Sequence, residues 1–300
     1  MSTRLVIRRA GPLTTIQDRG RFGMLRHGIS ASGPMDSGAF AAAAQILGEA
    51  GPAGIEFTSA GLELDMVAGE CRIGLAGGLF VATLNGRQLG WPAAAELREG
   101  DLLAVGPGRA GNFGYLRFDK TIAVPAVLGS RATNLRAGIG GLEGRALKAG
   151  DGIDLVPTGE TDPGMSRTAS GDGPVRIIWG LHAEVFAPDL RARFLSEEFR
   201  VTARMDRMGV WLGDPGGVFK GAGGLSLVSD AVVPGDIQIV GEGTPVVLMR
   251  DHQPTGGYPR IATIIGPDLD RFAQMRPGTH VRFESVSLAH AQTLSALRSA

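Results

Sequence analysis

The stretch GPLTTIQDRGRFGMLRHGISASGPMD, Gly11 to Asp36, governs how the chain reads. It sets Thr14, Thr15, Gln17, Asp18, Arg19, Arg21, Arg26, His27, Ser30, Ser32 and Asp36 among glycines, and neither a two-residue nor a 3.6-residue hydrophobic period holds through it. A run of about 25 residues with no element of its own is uncommon in a compact domain unless it serves a site. It therefore reads as a functional loop carried on a rigid frame. Upstream, Arg4 to Arg8 reads as a strand. Downstream, Asp36 is placed as the N-cap of a helix over SGAFAAAAQILG, whose alanines favour helix and whose Gly48 supplies the stop. At a helix start, Asp36 is also a candidate for a site role.

Further out the pattern is β. From Ile55 to Phe118 short apolar runs such as Cys71 to Leu75 and Leu79 to Leu84 alternate with turn signals, and Asn85-Gly86 is a two-residue hairpin signature. Glycine, at 47 of 300 residues, is about twice its usual share of ~7%, which argues for tight turns and barrel corners over long helices. Leu97 to Pro107 and Leu147 to Pro157 echo one another at an offset of 50 residues, with Arg276 to Val281 as a looser third copy. A Gly-Asp turn feeding a strand explains the echo locally, without duplication. Thr158 to Pro174 is the linker candidate. It divides the chain into an N-terminal barrel-type domain over 1–160, carrying the signature loop, and a C-terminal domain over 175–300. In the latter, strands are expected at Val175 to Trp179, Phe199 to Ala203, Ile237 to Val240, Val246 to Met249, Ile261 to Ile265 and His280 to Val286. Short helices are expected at Pro188 to Leu195 and Asp268 to Met275, and after Ser287. The chain is mainly β with a few helices.

The runs TTIQDRGRFG and HGISASGPMD resemble the opening signature of the carboxyltransferase A/B family. That family includes the C subunit of bacterial 5-oxoprolinase, the KipA proteins (also described as allophanate hydrolase subunit 2) and the carboxyltransferase half of urea carboxylase. The likeness continues through LGSRATNLRAGIGGLEGRALKAGD (Leu128 to Asp151), RMDRMG (Arg204 to Gly209), VPGDIQIVGEGTP (Val233 to Pro245) and DHQPTGGYPRIATII (Asp251 to Ile265). It departs at Pro254, where the family carries Thr, and at Ala44, where it carries Asn.

Composition narrows the function classes. Hydrophobic residues make up 43% of the chain, ample for a sizeable core, and 30 basic against 30 acidic residues leave no net charge to favour nucleic acid or an anionic membrane. The lone Cys71 reads as a small buried hydrophobe in a reducing compartment. No signal-peptide core or spanning segment is seen, so a cytoplasmic location is expected. No lysine sits in a Walker A loop, and the five histidines show no metal-ligand spacing, so no metal site is expected. GISASG is not a nucleophile elbow; Ser30 and Ser32 read as turn or oxyanion-binding hydroxyls.

The second concentration of chemistry is DHQPTGGYP, Asp251 to Pro259, just after an apolar strand. Gly256-Gly257 permits backbone N–H groups to approach an oxygen closely, and Thr255 and Tyr258 add hydroxyls. Asp251 and Gln253 rank above His252 as functional groups. In RMDRMG, Asp206 lies beside two arginines, a guanidinium fork for a carboxylate or phosphate. Arg131 and Gln238 are similar candidates.

The resemblance implies cyclophilin-like β-barrel domains working with a separate or fused partner, the KipI-like B subunit, and with the A subunit. In 5-oxoprolinase, the A, B and C subunits together open 5-oxo-L-proline to glutamate at the expense of ATP, with magnesium. On this reading Asp18, Arg21 and Asp251 are catalytic. Gln17, Ser32, Asp36, Arg131, Arg207, Gln238, Gln253, Thr255, Gly256, Gly257 and Tyr258 bind substrate, with Arg21, Arg207 and the Gly256-Gly257 backbone facing developing negative charge and Asp18 or Asp251 orienting water or magnesium. The two loops are expected to form two walls of one cleft. The alternatives are carboxyl transfer from carboxybiotin to urea or a similar amide, and a KipA-like module that antagonises a kinase inhibitor.

Overall fold

In the first strand Thr3, Leu5 and Ile7 are buried while Arg4 and Arg8 stand towards solvent, the two-residue alternation of a sheet with one wet face. The structure, a computed structural model, describes residues 3–159, 162, 173–222 and 226–299. Most of the linker candidate Thr158 to Pro174 lies outside the described residues. The chain divides into two compact units: Met1–Phe22 with Ala31–Arg167, and Gly23–Ser30 with Thr168–Ala300. The middle of the signature loop is thus grouped with the second unit, a division that the sequence does not reveal.

The first unit runs β1 (Thr3–Ala10), β2 (Thr15–Gln17), α1 (Ser37–Gln45), β3 (Gly54–Thr58), β4 (Leu62–Ala68) and β5 (Glu70–Leu79). It continues with β6 (Ala82–Leu84), β7 (Arg87–Gln88), β8 (Ala93–Arg98), β9 (Leu102–Val105), β10 (Ala110–Phe118), β11 (Lys120–Ile122) and β12 (Gly152–Pro157). Two sheets form, ordered β11-β12-β1-β4-β9-β6-β7 and β2-β3-β10-β5-β8. Leu5, Ile7, Ile55, Phe57, Leu64, Leu75, Leu103 and Leu116 belong to one buried apolar cluster drawn from both sheets. Asn85 and Gly86 take positive φ and close the β6–β7 hairpin as the sequence requires. Asp36 caps α1, accepting the Ala39 N–H at 2.9 Å. The echoing segments share one device: Asp101 accepts the Arg98 N–H and Asp151 the Lys148 N–H, both at 2.8 Å, so local turn chemistry accounts for the echo.

The second unit contains β13 (Val175–Trp179), α2 (Pro188–Ser196), β14 (Phe199–Met205), β15 (Gly209–Gly213), β16 (Asp230–Ala231), β17 (Asp236–Val240) and β18 (Thr244–Leu248). It ends with β19 (Thr255–Gly256), β20 (Arg260–Ile264), α3 (Gly266–Ala273), β21 (His280–Val281), β22 (Phe283–Ser285) and α4 (Leu288–Ser299). Its sheet is ordered β21-β14-β15-β18-β17-β20-β13-β22. The two edge strands, β21 and β22, are separated in the chain only by Arg282, so the sheet must curl until its edges meet. The result is a nearly closed, cyclophilin-like barrel. β16 and β19 stand apart as a two-stranded ribbon.

Phe194 of α2 lies among Phe199, Phe219 and Phe283, with ring centroids 5.5, 5.9 and 4.9 Å away. No part of its side chain meets solvent. We expect Phe194→Ala to lower stability by about 3–5 kcal/mol in chemical denaturation, the usual cost of emptying an aromatic site. A loss under about 1 kcal/mol would contradict this packing.

Candidate functional site

In the first unit the signature loop is wired to the segment around GSRATN. Asp18 is buried, and its Oδ1 accepts the Gly20 N–H at 2.8 Å and the Ser130 hydroxyl at 2.6 Å, while Oδ2 accepts the Arg131 N–H at 2.5 Å. Gln17 donates to Thr15 Oγ1 and the Thr133 carbonyl and accepts from Gly33 N–H. The Arg21 guanidinium donates to the carbonyls of Ala132 and Val127, and its backbone N–H donates to the Ala31 carbonyl. Gly20 takes φ +99°, and a Cβ there would stand 2.7 Å from the Ala31 carbonyl oxygen, so only glycine lets the loop fold back. Among the described residues the buried Ser32 hydroxyl, on a residue with φ +57°, has no hydrogen-bond partner. Arg131 is half-buried.

Beneath the loop's end a second polar node is buried. Glu56 accepts from the Met35 N–H at 2.7 Å and the Tyr115 hydroxyl at 2.9 Å, and Tyr115 receives the Asp36 N–H at 2.7 Å. Burial, with Glu56 and Asp36 nearby, raises the Tyr115 pKa well above the usual phenol value.

In the second unit RMDRMG forms the β14–β15 turn, and its two arginines part. Arg204 lies over the Trp211 ring, 4.0 Å from its centroid, whereas Arg207 turns inward to a two-pronged pair with Asp251, Nε to Oδ2 at 2.9 Å and Nη2 to Oδ1 at 3.0 Å. Both side chains of the pair are 2% exposed. Asp206 accepts the Met208 and Gly209 N–H groups and closes the turn. The Asp251 N–H donates to the Arg207 carbonyl at 2.7 Å, so backbone and side chains together fix where the DHQPTGGYP loop starts.

Beyond Asp251, the buried His252 has Nδ1 2.7 Å from the Gln253 carbonyl, to which it donates, since a carbonyl only accepts. Burial lowers its pKa below 6.5, with the Gln253 carbonyl and nearby Asp236 and Asp251 opposing. Gln253 donates to Gln238 Oε1 at 3.3 Å. Gly256 rests against Gln238, since a Cβ would fall 2.3 Å from Nε2. Thr255 and Tyr258 face solvent, and Gly256 and Gly257 are half-buried.

The structure thus sorts the predicted residues. Gln17, Asp18, Arg21, Asp36, Arg207, Gln238 and Asp251 are buried among internal polar groups, while Arg131, Gln253, Thr255, Gly256, Gly257 and Tyr258 retain exposure. Sequence reasoning missed Glu56 and Tyr115, Arg117 and Asp162, and the group of Arg260, Asp230 and Asp236. Arg260 and Asp236 stood within family motifs, but spacing cannot say which polar side chains turn inward. A cavity of about 650 Å³ in this unit, lined among others by Arg271, Arg282 and Glu198, holds none of the predicted residues. Its arginines are already paired, Arg271 with the carbonyls of Gly173 and Pro174 and Arg282 with Glu198. Among the described residues no group of three or more His, Cys, Asp or Glu could hold a metal ion, and no helix is long and apolar enough to cross a membrane.

A nearly closed barrel with Gly-rich, polar loops organised by buried carboxylates defines the chain as one built from carboxyltransferase-type barrel units. The chain belongs to the carboxyltransferase family described as "carboxyltransferase domain, subdomain A and B", whose model matches residues 27–285. It is 33% identical to the 5-oxoprolinase C subunit of Haemophilus influenzae over 93% of this chain and 90% of that one, and 33% identical to the Escherichia coli protein of the same name over 96% and 93%. It is also similar to the crystal structure of the Kluyveromyces lactis urea amidolyase, with a TM-score of 0.87 and 27% identity, covering 98% of this chain and 19% of that one.

Read from sequence as loop carboxylates at a site, which contribute little to the core, Asp18 and Asp251 are expected on replacement by alanine to abolish the activity of the complex with the thermal midpoint nearly unchanged. Both are buried and bonded, which reverses the expectation for the midpoint. Asp18→Ala strands two backbone N–H groups and a hydroxyl, and we expect a loss of about 3 kcal/mol in chemical denaturation; Asp251→Ala should cost about 3–5 kcal/mol because the buried Arg207 loses its two-pronged carboxylate partner. Midpoints equal to the parent for both would show the carboxylates to be structurally idle.

Proposed function

We propose that the chain serves as the C subunit of an ATP-dependent 5-oxoprolinase, a cytoplasmic complex whose A, B and C subunits open 5-oxo-L-proline to L-glutamate. What carries the reading is the relation to two proteins of that name across nine-tenths or more of both lengths. The chemistry explains the need for several subunits. A lactam is a stable amide; transfer of a phosphoryl group from ATP to its oxygen, with ADP leaving, makes the carbon electrophilic, one water adds and the C–N bond breaks to free the amine and leave an acyl phosphate, and a second water releases phosphate and the carboxylate. Negative charge builds on oxygen at each stage, and N–H and O–H donors held in place lower that barrier.

This chain's part is to present such donors. In the second unit the exposed Thr255 and Tyr258 hydroxyls and the Gly256-Gly257 backbone are proposed to contact substrate, with Gln253 beside them. In the first unit Ser32 and Arg131 are the proposed contacts. Asp18, Arg21, Gln17 and Asp36, and separately Arg207, Asp251 and Gln238, act by holding those groups in place. ATP, with magnesium, is used by the complex as a whole, and the residues of this chain bind and position.

Carboxyl transfer from carboxybiotin is the second reading, favoured by the likeness to urea amidolyase, of which the chain spans 19%. Reconstitution separates the two. The isolated chain should release little or no glutamate from 5-oxo-L-proline and ATP, and addition of the A and B subunits should restore turnover. Full turnover by the chain alone, or a complete complex that is inert while a biotin carboxylase partner elicits transfer to an amide, would overturn the proposal.

A further inference from the structure

The β16–β19 ribbon carries Thr255 and Gly256 but lies outside the barrel sheet. Its ladder pairs only Asp230 with Gly256 and Ala231 with Thr255, extended by Val232 N–H to the Pro254 carbonyl at 3.2 Å and Leu227 N–H to the Gly257 carbonyl at 2.8 Å. A two-stranded ribbon of this size does not hold its shape in water unaided. Something must fasten it to the barrel.

Arg260, at the start of β20, is placed to do so. Its side chain is 6% exposed, and the guanidinium spans ribbon and barrel: Nη2 donates to Asp230 Oδ2 at 2.6 Å, and Nη1 to the Ala231 carbonyl at 2.7 Å and to Asp236 Oδ2 at 3.4 Å. Asp236 is itself fixed at the head of β17, accepting the Thr263 hydroxyl at 2.6 Å and the Val233 N–H at 3.0 Å. The Arg260 backbone pairs with Gln238 and donates to His182 Nδ1 at 3.3 Å. The bracket therefore starts from the rigid part of the barrel and ends on the ribbon. Two nitrogens serve distinct acceptors on one strand while Nη1 also reaches the barrel carboxylate, a division that a planar guanidinium makes and a single ammonium does not. Gly256 lies against the buried Gln238, where a Cβ would stand 2.3 Å from Nε2, so the ribbon packs closely on the barrel at this point.

We infer that Arg260, with Asp230 as its acceptor, is a positioning residue that clamps the Thr255–Tyr258 segment in its substrate-binding conformation. This rests on the reading of that segment as a substrate contact under the proposed function. The test uses the reconstituted complex of all three subunits with Arg260→Gln, Arg260→Lys and Asp230→Asn, reading KM and kcat for 5-oxo-L-proline alongside amide hydrogen exchange over 227–232 and 254–258. The Asp230 side chain is 54% exposed, so its variant does not act through the core.

In Arg260→Gln, exchange in both ribbon segments should quicken about tenfold or more with the barrel strands unchanged, and KM should rise about tenfold with kcat within about threefold. Asp230→Asn should shift both in the same direction by less, and Arg260→Lys should retain part of the parent behaviour. Unchanged ribbon exchange in both Arg260→Gln and Asp230→Asn would overturn the clamp itself. Faster exchange with KM unchanged would leave the clamp but refute the substrate role of the segment, and with it Arg260 as a positioning residue.

Discussion

The ion pair between Arg207 and Asp251 is the constraint on which the second unit's chemistry depends. Removing two charges from water costs several kcal/mol each, and an interior pair recovers this only with good geometry and further hydrogen bonds. Both conditions are met, by the two-pronged contact and by the backbone bond from Asp251 to Arg207. The pair joins the β14–β15 turn to the exit of β18. The segment beyond it, from His252 to Tyr258, starts from a fixed point. The exposed hydroxyls and glycines can therefore present donors without the freedom of an ordinary loop.

The first unit reaches the same end by a different route. Asp18 works through neutral donors: it gathers two backbone N–H groups and the Ser130 hydroxyl, so a single carboxylate defines the turn of the signature loop and its neighbour. Gln17 and Arg21 extend the net to Thr133, Gly33 and Ala132. In both units, residues that look catalytic in sequence form the frame. In the second unit the neighbouring Thr255 and Tyr258 stand exposed.

Much of the fold was legible because its signals are local. The β1 alternation, the Asn85-Gly86 turn, the Asp36 cap and the Ser287 cap, which accepts from the His290 N–H at 3.2 Å, each follow from a few adjacent residues. The family resemblance supplied the barrel, which periodicity alone does not distinguish from other β folds. The hidden part was non-local. Glu56 sits in the apolar strand GIEFT and is buried because Tyr115 and Met35 meet it; Asp162, read as part of a polar linker, bonds the buried Arg117 at 3.0 Å. Whether an aspartate in a motif does chemistry or holds backbone depends, for Asp18, on partners as distant in the chain as Ser130 and Arg131, and sequence spacing carries no record of that.

The central claim is that the motif charges are structural first, and a double-mutant cycle on Arg207 and Asp251 tests it most directly. Unfolding free energies would be measured for Arg207→Met, Asp251→Leu and the double variant in the same chain. Each single change should cost about 3–5 kcal/mol and the double variant less than the sum by about 2 kcal/mol or more, since the second change removes a charge whose two-pronged contact is already lost. Additivity within about 0.5 kcal/mol would show that the two side chains do not depend on each other, and would contradict the account.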